Sequence, residues 1–242
     1  MSGHFVKTAN FSVRSAYPLR HDGGVNRFRT VLFDLDGTLV DQFAAIHRTH
    51  VQTRAHFGLS APTLEQVRNA VGGGLEHSIA QIWENQHEEK IPEAVRVYRE
   101  LWPKNMYFEL KLMPGARELL AELKMRGVQS AVLTNKHAPS SRELLAHLGV
   151  AEFLSGVFGA GDTPWLKPQI EFTQHALNAL HAEVSTSCLI GDSTFDVETG
   201  KIAHLKTFCV TTGTHTAEAL RAAHADAVYA NLTELGRAEL GV

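Results

Sequence analysis

The chain has 242 residues, 44% of them hydrophobic and 20% charged, with a formal net charge of −3 from 23 basic and 26 acidic side chains. This composition belongs to a globular protein able to bury a core without disulfides, and it excludes a chain disordered throughout. It leaves no electrostatic footprint for nucleic acid or an anionic membrane surface, and no apolar run approaches the roughly 20 residues of a membrane helix.

Residues 1–27 differ from the rest. They carry Lys7, Arg14 and Arg20, no acid before Asp22, and scattered serines at Ser2, Ser12 and Ser15. They lack the apolar segment of a secretory signal, so they read as an N-terminal arm, with organelle targeting as the alternative to a cytoplasmic protein. Asp22-Gly23-Gly24 is turn-like and closes the arm. Val31-Leu32-Phe33 then forms a short apolar run of the kind that suits a parallel strand buried on both faces.

From about Gln42 to Leu112 the pattern is helical and holds no strand, punctuated by Gly58, Pro62, Gly72-Gly73-Gly74, Pro92 and Pro103. This stretch reads as an all-helical subdomain inserted after the first strand. Met113-Pro114-Gly115 marks the return to alternating elements. Further apolar runs follow at Ala131–Leu133, Cys188–Ile190 and Phe208–Val210, with a weaker one at Gly156–Phe158. Helical stripes separate them: Ala116, Leu119, Leu120 and Leu123; then Ser141, Leu144, Leu145 and Leu148; then Ile170, Thr173, Leu177 and Leu180. Ser140 and Glu143 have the spacing of a capping box for the second. Strands alternating with helices predict an α/β core with a Rossmann-like parallel sheet over residues 28–41 and 113–242, and a helical cap over 42–112. Cys188 and Cys209, the only cysteines, sit in apolar strands and read as buried free thiols of a reducing compartment.

In a parallel α/β sheet, ligands bind at the carboxyl ends of strands. The first strand runs into Asp34-Leu35-Asp36-Gly37-Thr38, the second into Thr134-Asn135-Lys136, and a later one into Gly191-Asp192-Ser193-Thr194-Phe195-Asp196, with an isolated Lys167-Pro168 before it. Asp34 and Asp36, at i and i+2, can address one side. Gly37 permits a sharp turn and close approach of backbone N–H groups to an anion. Carboxylates gathered at one sheet edge need a cation, and an all-oxygen donor set suits Mg²⁺.

In order and spacing, Asp34-x-Asp36-Gly37-Thr38, Thr134, Lys167-Pro168 and Gly191-Asp192-x-x-x-Asp196 match the motifs of the haloacid dehalogenase superfamily, which the chain resembles from about Thr30 to Leu235. The helical insert is similar to that family's C1 cap. Thr134-Asn135-Lys136, Val71-Gly72-Gly73-Gly74 and the late Ala225-Asp226-Ala227-Val228 are most similar to phosphoglycolate phosphatases and their relatives. Gln42, where serine is common, is one departure.

The resemblance implies a phosphatase acting on a small phosphorylated metabolite, 2-phosphoglycolate first among them. It makes Asp34 the nucleophile and Asp36 the general acid and base. Thr134 and Lys167 would bind the transferring phosphoryl group, together with Gly37, Thr38, Asn135 and, from the cap, Gly73. Mg²⁺ would be held by the Asp34 carboxylate, the Asp36 backbone carbonyl and Asp192, with Asp196 supporting Lys167 or the metal's waters. An aspartate at position 36 fits an oxygen leaving group that must be protonated. A pyrophosphatase, nucleotidase or phosphosugar mutase on the same scaffold is the alternative, and an inactive binding module a further one. Monomer and homodimer are equally compatible with the sequence.

Other features are expected to be structural. His47 and His50 lack any accompanying metal-ligand spacing, and His50 falls on the stripe of Phe43, Ile46 and Phe57 as a cap-core or interface residue. Asp41 is placed as the N-cap of the first cap helix. Gly72-Gly73-Gly74 is either a substrate-facing loop or a helix connector. Trp83, Trp102 and Trp165 are expected to pack, with Trp165 at the pocket rim.

Overall fold

The computed structural model describes residues 27–84 and 87–242. The turn at Asp22-Gly23-Gly24 and the arm before Arg27 lie outside the described residues. In chain order the elements are β1 (Thr30–Phe33), β2 (Val40–Asp41), α1 (Phe43–His56), α2 (Leu64–Ala70), α3 (Leu75–Ile82), α4 (Ile91–Asn105), β3 (Lys111–Leu112), α5 (Ala116–Met125), β4 (Gln129–His137), α6 (Ala138–His147), β5 (Gly156–Ala160), α7 (Ile170–Ala179), β6 (Ser187–Gly191), α8 (Thr194–Ala203), β7 (Lys206–Val210), α9 (Ala217–Ala222), β8 (Ala227–Tyr229) and α10 (Leu232–Leu235).

Six strands form one sheet in the order β5-β4-β1-β6-β7-β8, and every neighbouring pair is parallel. Side chains alternate between the two faces of the strands. Val31, Phe33, Val132, Cys188 and Ile190 pack against Leu119, Leu120 and Leu123 of α5 and Leu232 and Leu235 of α10. Leu32, Ala131, Leu133 and Leu189 pack on the other face against Phe172, Ala176 and Leu177 of α7. The fold is therefore a Rossmann-like parallel sheet covered by helices on both faces. The apolar runs read as strands because both of their faces are buried.

The chain order reverses beside β1: β4 and β5 lie on one side, β6, β7 and β8 on the other. Phe33 is in register with Val132 and with Ile190, so β1 and β6 end nearly level while β4 runs on to His137. Ligands of open α/β sheets sit at such a switch point.

Between β2 and β3 stand the four helices α1–α4, which bury a core of their own that includes Ile46, Val67, Ile79, Trp83, Tyr98 and Trp102. The stretch 42–112 is not wholly helical. Its last two residues pair antiparallel with the chain entering it, Val40 with Leu112 and Asp41 with Lys111. Entry and exit thus run side by side, and Met113 N–H donates to Leu39 O at 2.9 Å.

Two expected caps are corrected. The N-cap of α6 is His137, with no side-chain cap; Ser140 Oγ instead faces His137 Nδ1 at 3.1 Å, and the Glu143 carboxylate accepts from the Tyr107 hydroxyl at 2.5 Å. The N-cap of α1 is Gln42 rather than Asp41, although Asp41 Oδ1 accepts from Phe43 N–H at 3.4 Å.

Candidate active site

The residues after β1 and β6 and those in the last part of β4 meet at the carboxyl edge of the sheet. Asp34, Asp36, Thr134, Lys167, Asp192 and Asp196 are all buried. The Lys167 ammonium joins two of the motifs, donating to Asp34 Oδ1 at 2.8 Å and to Asp196 Oδ1 at 2.7 Å. The other oxygen of Asp196 accepts from the Ser193 hydroxyl at 2.6 Å and from the N–H groups of Asp192 and Ser193. Ser193 and Asp196 form a capping box that starts α8. One carboxylate therefore both fixes the helix start and holds the lysine.

Asp192 is held by three donors: the Thr38 hydroxyl to Oδ1 at 2.9 Å, and the N–H and hydroxyl of Thr214 to Oδ2 at 2.8 and 3.0 Å. Even so, burial and then the charges of Asp34 and Asp196 push its carboxyl up to about 8. Burial likewise raises Asp34 to about 6, with Lys167 pulling down and Asp196 pushing up. Burial alone would lower Lys167, but its two carboxylate partners more than offset that and hold it above the ordinary range.

Asp34, Asp192 and Asp196 each offer an oxygen within 4.8 Å of the others. Three buried carboxylates against one lysine leave negative charge uncompensated, and the donors are all hard oxygens. That donor set fits a cation of the Mg²⁺ type. Both oxygens of Asp192 and both of Asp196 already accept hydrogen bonds, so an ion held by Asp192 would share its oxygens with Thr38 and Thr214. The Asp36 carboxylate is not part of this cluster.

Asp36 Oδ2 instead accepts from Lys136 Nζ at 2.8 Å, while its Oδ1 is buried without a partner. The Lys136 ammonium also lies 4.5 Å from the centre of the Trp102 ring on α4. Lys136 is a site residue that sequence reasoning missed. Its position two residues past Thr134 on β4 was the available signal, since i and i+2 on a strand share a face. Thr214 was missed for a similar reason: Thr211-Thr212-Gly213-Thr214 comes after β7 just as the other polar sets come after their strands.

The placements of Gly37 and Thr38 as groups facing the phosphoryl are corrected. Gly37 N–H donates to Val40 O and Thr38 N–H to Leu35 O, closing the turn on itself. The Thr38 hydroxyl points inward to Asp192. Gly37 is required because its φ is +89° and a Cβ there would lie 2.6 Å from Asp192 Oδ2. Asn135 faces the cavity, but its side chain is committed: Nδ2 donates to Gly72 O at 2.9 Å and Lys167 O at 3.0 Å, and Oδ1 accepts from Lys167 N–H at 2.7 Å. It ties β4 to the lysine loop and to the helical insert.

A cavity of about 620 Å³ lies between the sheet edge and the insert, with Asp34, Asp36, Thr134 and Lys136 at one end and Gly72, Gly73 and Gly74 along its wall. Trp102 lines it and Trp165 does not; Trp165 packs beside the α7 core. His50 is buried in the insert, facing Ser78 Oγ at 3.2 Å and the Tyr98 ring, and burial lowers its imidazole to about 3. Cys188 and Cys209 are buried free thiols.

A model of the haloacid dehalogenase-like hydrolases matches residues 31–210. The chain is 31% identical over 208 residues to the probable phosphatase IndB of Dickeya dadantii, covering 85% of this chain and 90% of that protein. It is 28% identical over 211 residues to the phosphoglycolate phosphatase of Yersinia pseudotuberculosis, covering 86% and 91%. A crystal structure of a predicted phosphatase from Clostridium acetobutylicum superposes with a TM-score of 0.82 at 27% identity, over 89% of this chain and 99% of that one.

Proposed function

The chain belongs to the haloacid dehalogenase-like hydrolase family, and from that premise we propose that it hydrolyses small phosphomonoesters through an aspartyl phosphate on Asp34. Phosphatase-named relatives along most of the chain make it a phosphoric monoester hydrolase. The observation that carries the mechanism is the meeting of Asp34, Thr134, Lys167 and Asp192 at the carboxyl edge of β1, β4 and β6.

In this reading an Asp34 oxygen attacks phosphorus, an O–P bond forms, and the bond to the substrate's alkoxide breaks. Asp36, two residues on, gives that alkoxide its proton. It then takes a proton from the water that attacks phosphorus and frees Asp34. Lys167 spends two of its three N–H donors on Asp34 and Asp196, leaving one for a phosphoryl oxygen. The Thr134 hydroxyl accepts from Lys136 N–H at 3.2 Å and keeps its own hydrogen to donate. Asp34 and Asp192, with the Asp36 carbonyl, would hold Mg²⁺, which supplies charge neutralisation between the carboxylates and the phosphoryl oxygens. Residues 28–41 and 113–242 act as the catalytic core and 42–112 as its cap. No helix among the described residues is long and apolar enough to cross a membrane, and a cytoplasmic site of action fits the free cysteines.

The test is phosphate release, with 2-phosphoglycolate first because of the relatives' names, together with acid-quench trapping of a phosphoenzyme. Asp34→Asn is expected to release no phosphate and trap no label. Excess EDTA is expected to stop the wild type and Mg²⁺ to restore it. Turnover by Asp34→Asn would refute the nucleophile, and undiminished turnover in chelator would refute the cation.

A further inference from the structure

The cavity is large for a two-carbon acid. Its volume of about 620 Å³ falls among sites that bury drug-sized ligands, about 300–1,000 Å³. Away from the carboxylates its wall is apolar, with Ile46, Val71, Leu75, Tyr98, Trp102 and Leu166. A phosphoglycolate body would leave most of that surface facing water.

Two further charged groups line the same cavity, Glu76 of α3 and Arg99 of α4. On α4, Arg96 is paired with Glu93 and Glu100, whereas Arg99 has no ion pair among the described residues. Its position can be gauged from two directions. Arg99 and His137 both line the cavity, and the His137 imidazole is lowered by burial first and by the Arg99 charge second. Thr134 and His137 both belong to β4 and both line the cavity. On α4, Arg99 precedes Trp102 by one turn on the same face, and Trp102 carries the lysine that holds Asp36. The wall therefore runs from Asp36 through Lys136 and Trp102 to Arg99.

We propose that the site takes phosphomonoesters whose leaving group is a ring-sized, mostly apolar body ending in a second anionic group that Arg99 binds; this rests on the phosphatase reading. Arg99 is then a specificity residue and takes no part in bond breaking.

The test compares 4-carboxybenzyl phosphate, benzyl phosphate and 2-phosphoglycolate, all esters of primary alcohols, with acetyl phosphate as a control that asks little of the cap. In the wild type, kcat/KM is expected to be highest for the carboxybenzyl ester, by about tenfold or more over 2-phosphoglycolate. In Arg99→Gln the carboxybenzyl-to-benzyl ratio of kcat/KM should fall about tenfold, the loss of one charged contact. A higher kcat/KM for 2-phosphoglycolate, or a ratio unmoved by Arg99→Gln, overturns the inference while leaving the phosphatase standing. Hydrolysis of acetyl phosphate with neither benzyl ester accepted does the same. Release from none of the four compounds refutes the phosphatase reading, and this inference falls with it.

Discussion

Asn135→Ala separates a positioning role from a substrate contact at a β4 residue that bonds both the lysine loop and the helical insert. The substitution removes three hydrogen bonds, of 2.7 Å from Lys167 N–H, 3.0 Å to Lys167 O and 2.9 Å to Gly72 O. Each is worth about 0.5–1.5 kcal/mol net, and a buried backbone group left unpaired costs about 1–3 kcal/mol. Gly72 O borders the cavity and can recover a bond from water, but Lys167 is buried and its N–H and C=O cannot readily do so. The expected loss is about 3 kcal/mol, and at about 2–4 °C per kcal/mol for a chain of this size the Tm should fall by about 6–12 °C. Because Lys167 moves with its backbone, kcat should fall about tenfold or more while KM changes little. Calorimetry read beside steady-state kinetics decides the matter. An unchanged Tm with a raised KM would show that Asn135 binds substrate and that its hydrogen bonds position nothing.

His50 gives a pH signature. Its imidazole is neutral when folded, lowered to about 3 by burial, while the unfolded chain takes up a proton near 6.5; stability present above pH 6.5 is therefore lost as pH falls from there toward 3, by about 2 kcal/mol at pH 5. Urea midpoints should show a steeper acid loss for the wild type than for His50→Gln, and parallel curves would contradict this. Lys136→Met strips Asp36 of its partner and should slow primary-alcohol esters about tenfold or more while slowing acetyl phosphate far less, because its leaving group needs no proton; equal slowing would detach Lys136 from the acid. A Cβ at Gly73 would lie 2.3 Å from the His77 ring, so Gly73→Ala should turn that ring off its edge contact with Phe195. That change is expected to alter kcat/KM differently for different esters with a small change in Tm, whereas a large fall in Tm with uniform loss would make the glycine a connector.

The sheet and the polar residues at its edge were legible because both derive from short-range rules. Runs such as Val31-Leu32-Phe33 are apolar on both faces only if both faces are covered, and the residues directly after such a strand are forced to the carboxyl edge. Hidden from the sequence is where each polar atom spends its hydrogen bonds. Gly37 and Thr38 stand close to Asp34 in the chain, yet the turn they make closes on Leu35 and Val40 and sends the Thr38 hydroxyl to a residue 154 positions away. The capping-box spacing of Ser140 and Glu143 was present, but the strand runs on to His137 and α6 starts directly after it, so Ser140 falls inside the helix. Trp102 and Trp165 look alike in sequence. Only the packing of α4 over the sheet edge brings the first, and not the second, to the cavity.

The charges of the site make its parts depend on one another. Lys136 is spent on Asp36, and Lys167 is shared between Asp34 and Asp196. Neither lysine reaches Asp192, whose partners are two threonines and whose carboxyl burial and its acidic neighbours push up to about 8. A phosphoryl dianion entering beside Asp34 would add charge where the protein has already run out of cations, and in a buried site the repulsion is little screened. In the proposed mechanism the fold supplies a nucleophile, a proton donor and a phosphoryl clamp from its own side chains. A bound divalent cation would then supply the neutralisation of Asp34 and Asp192 together.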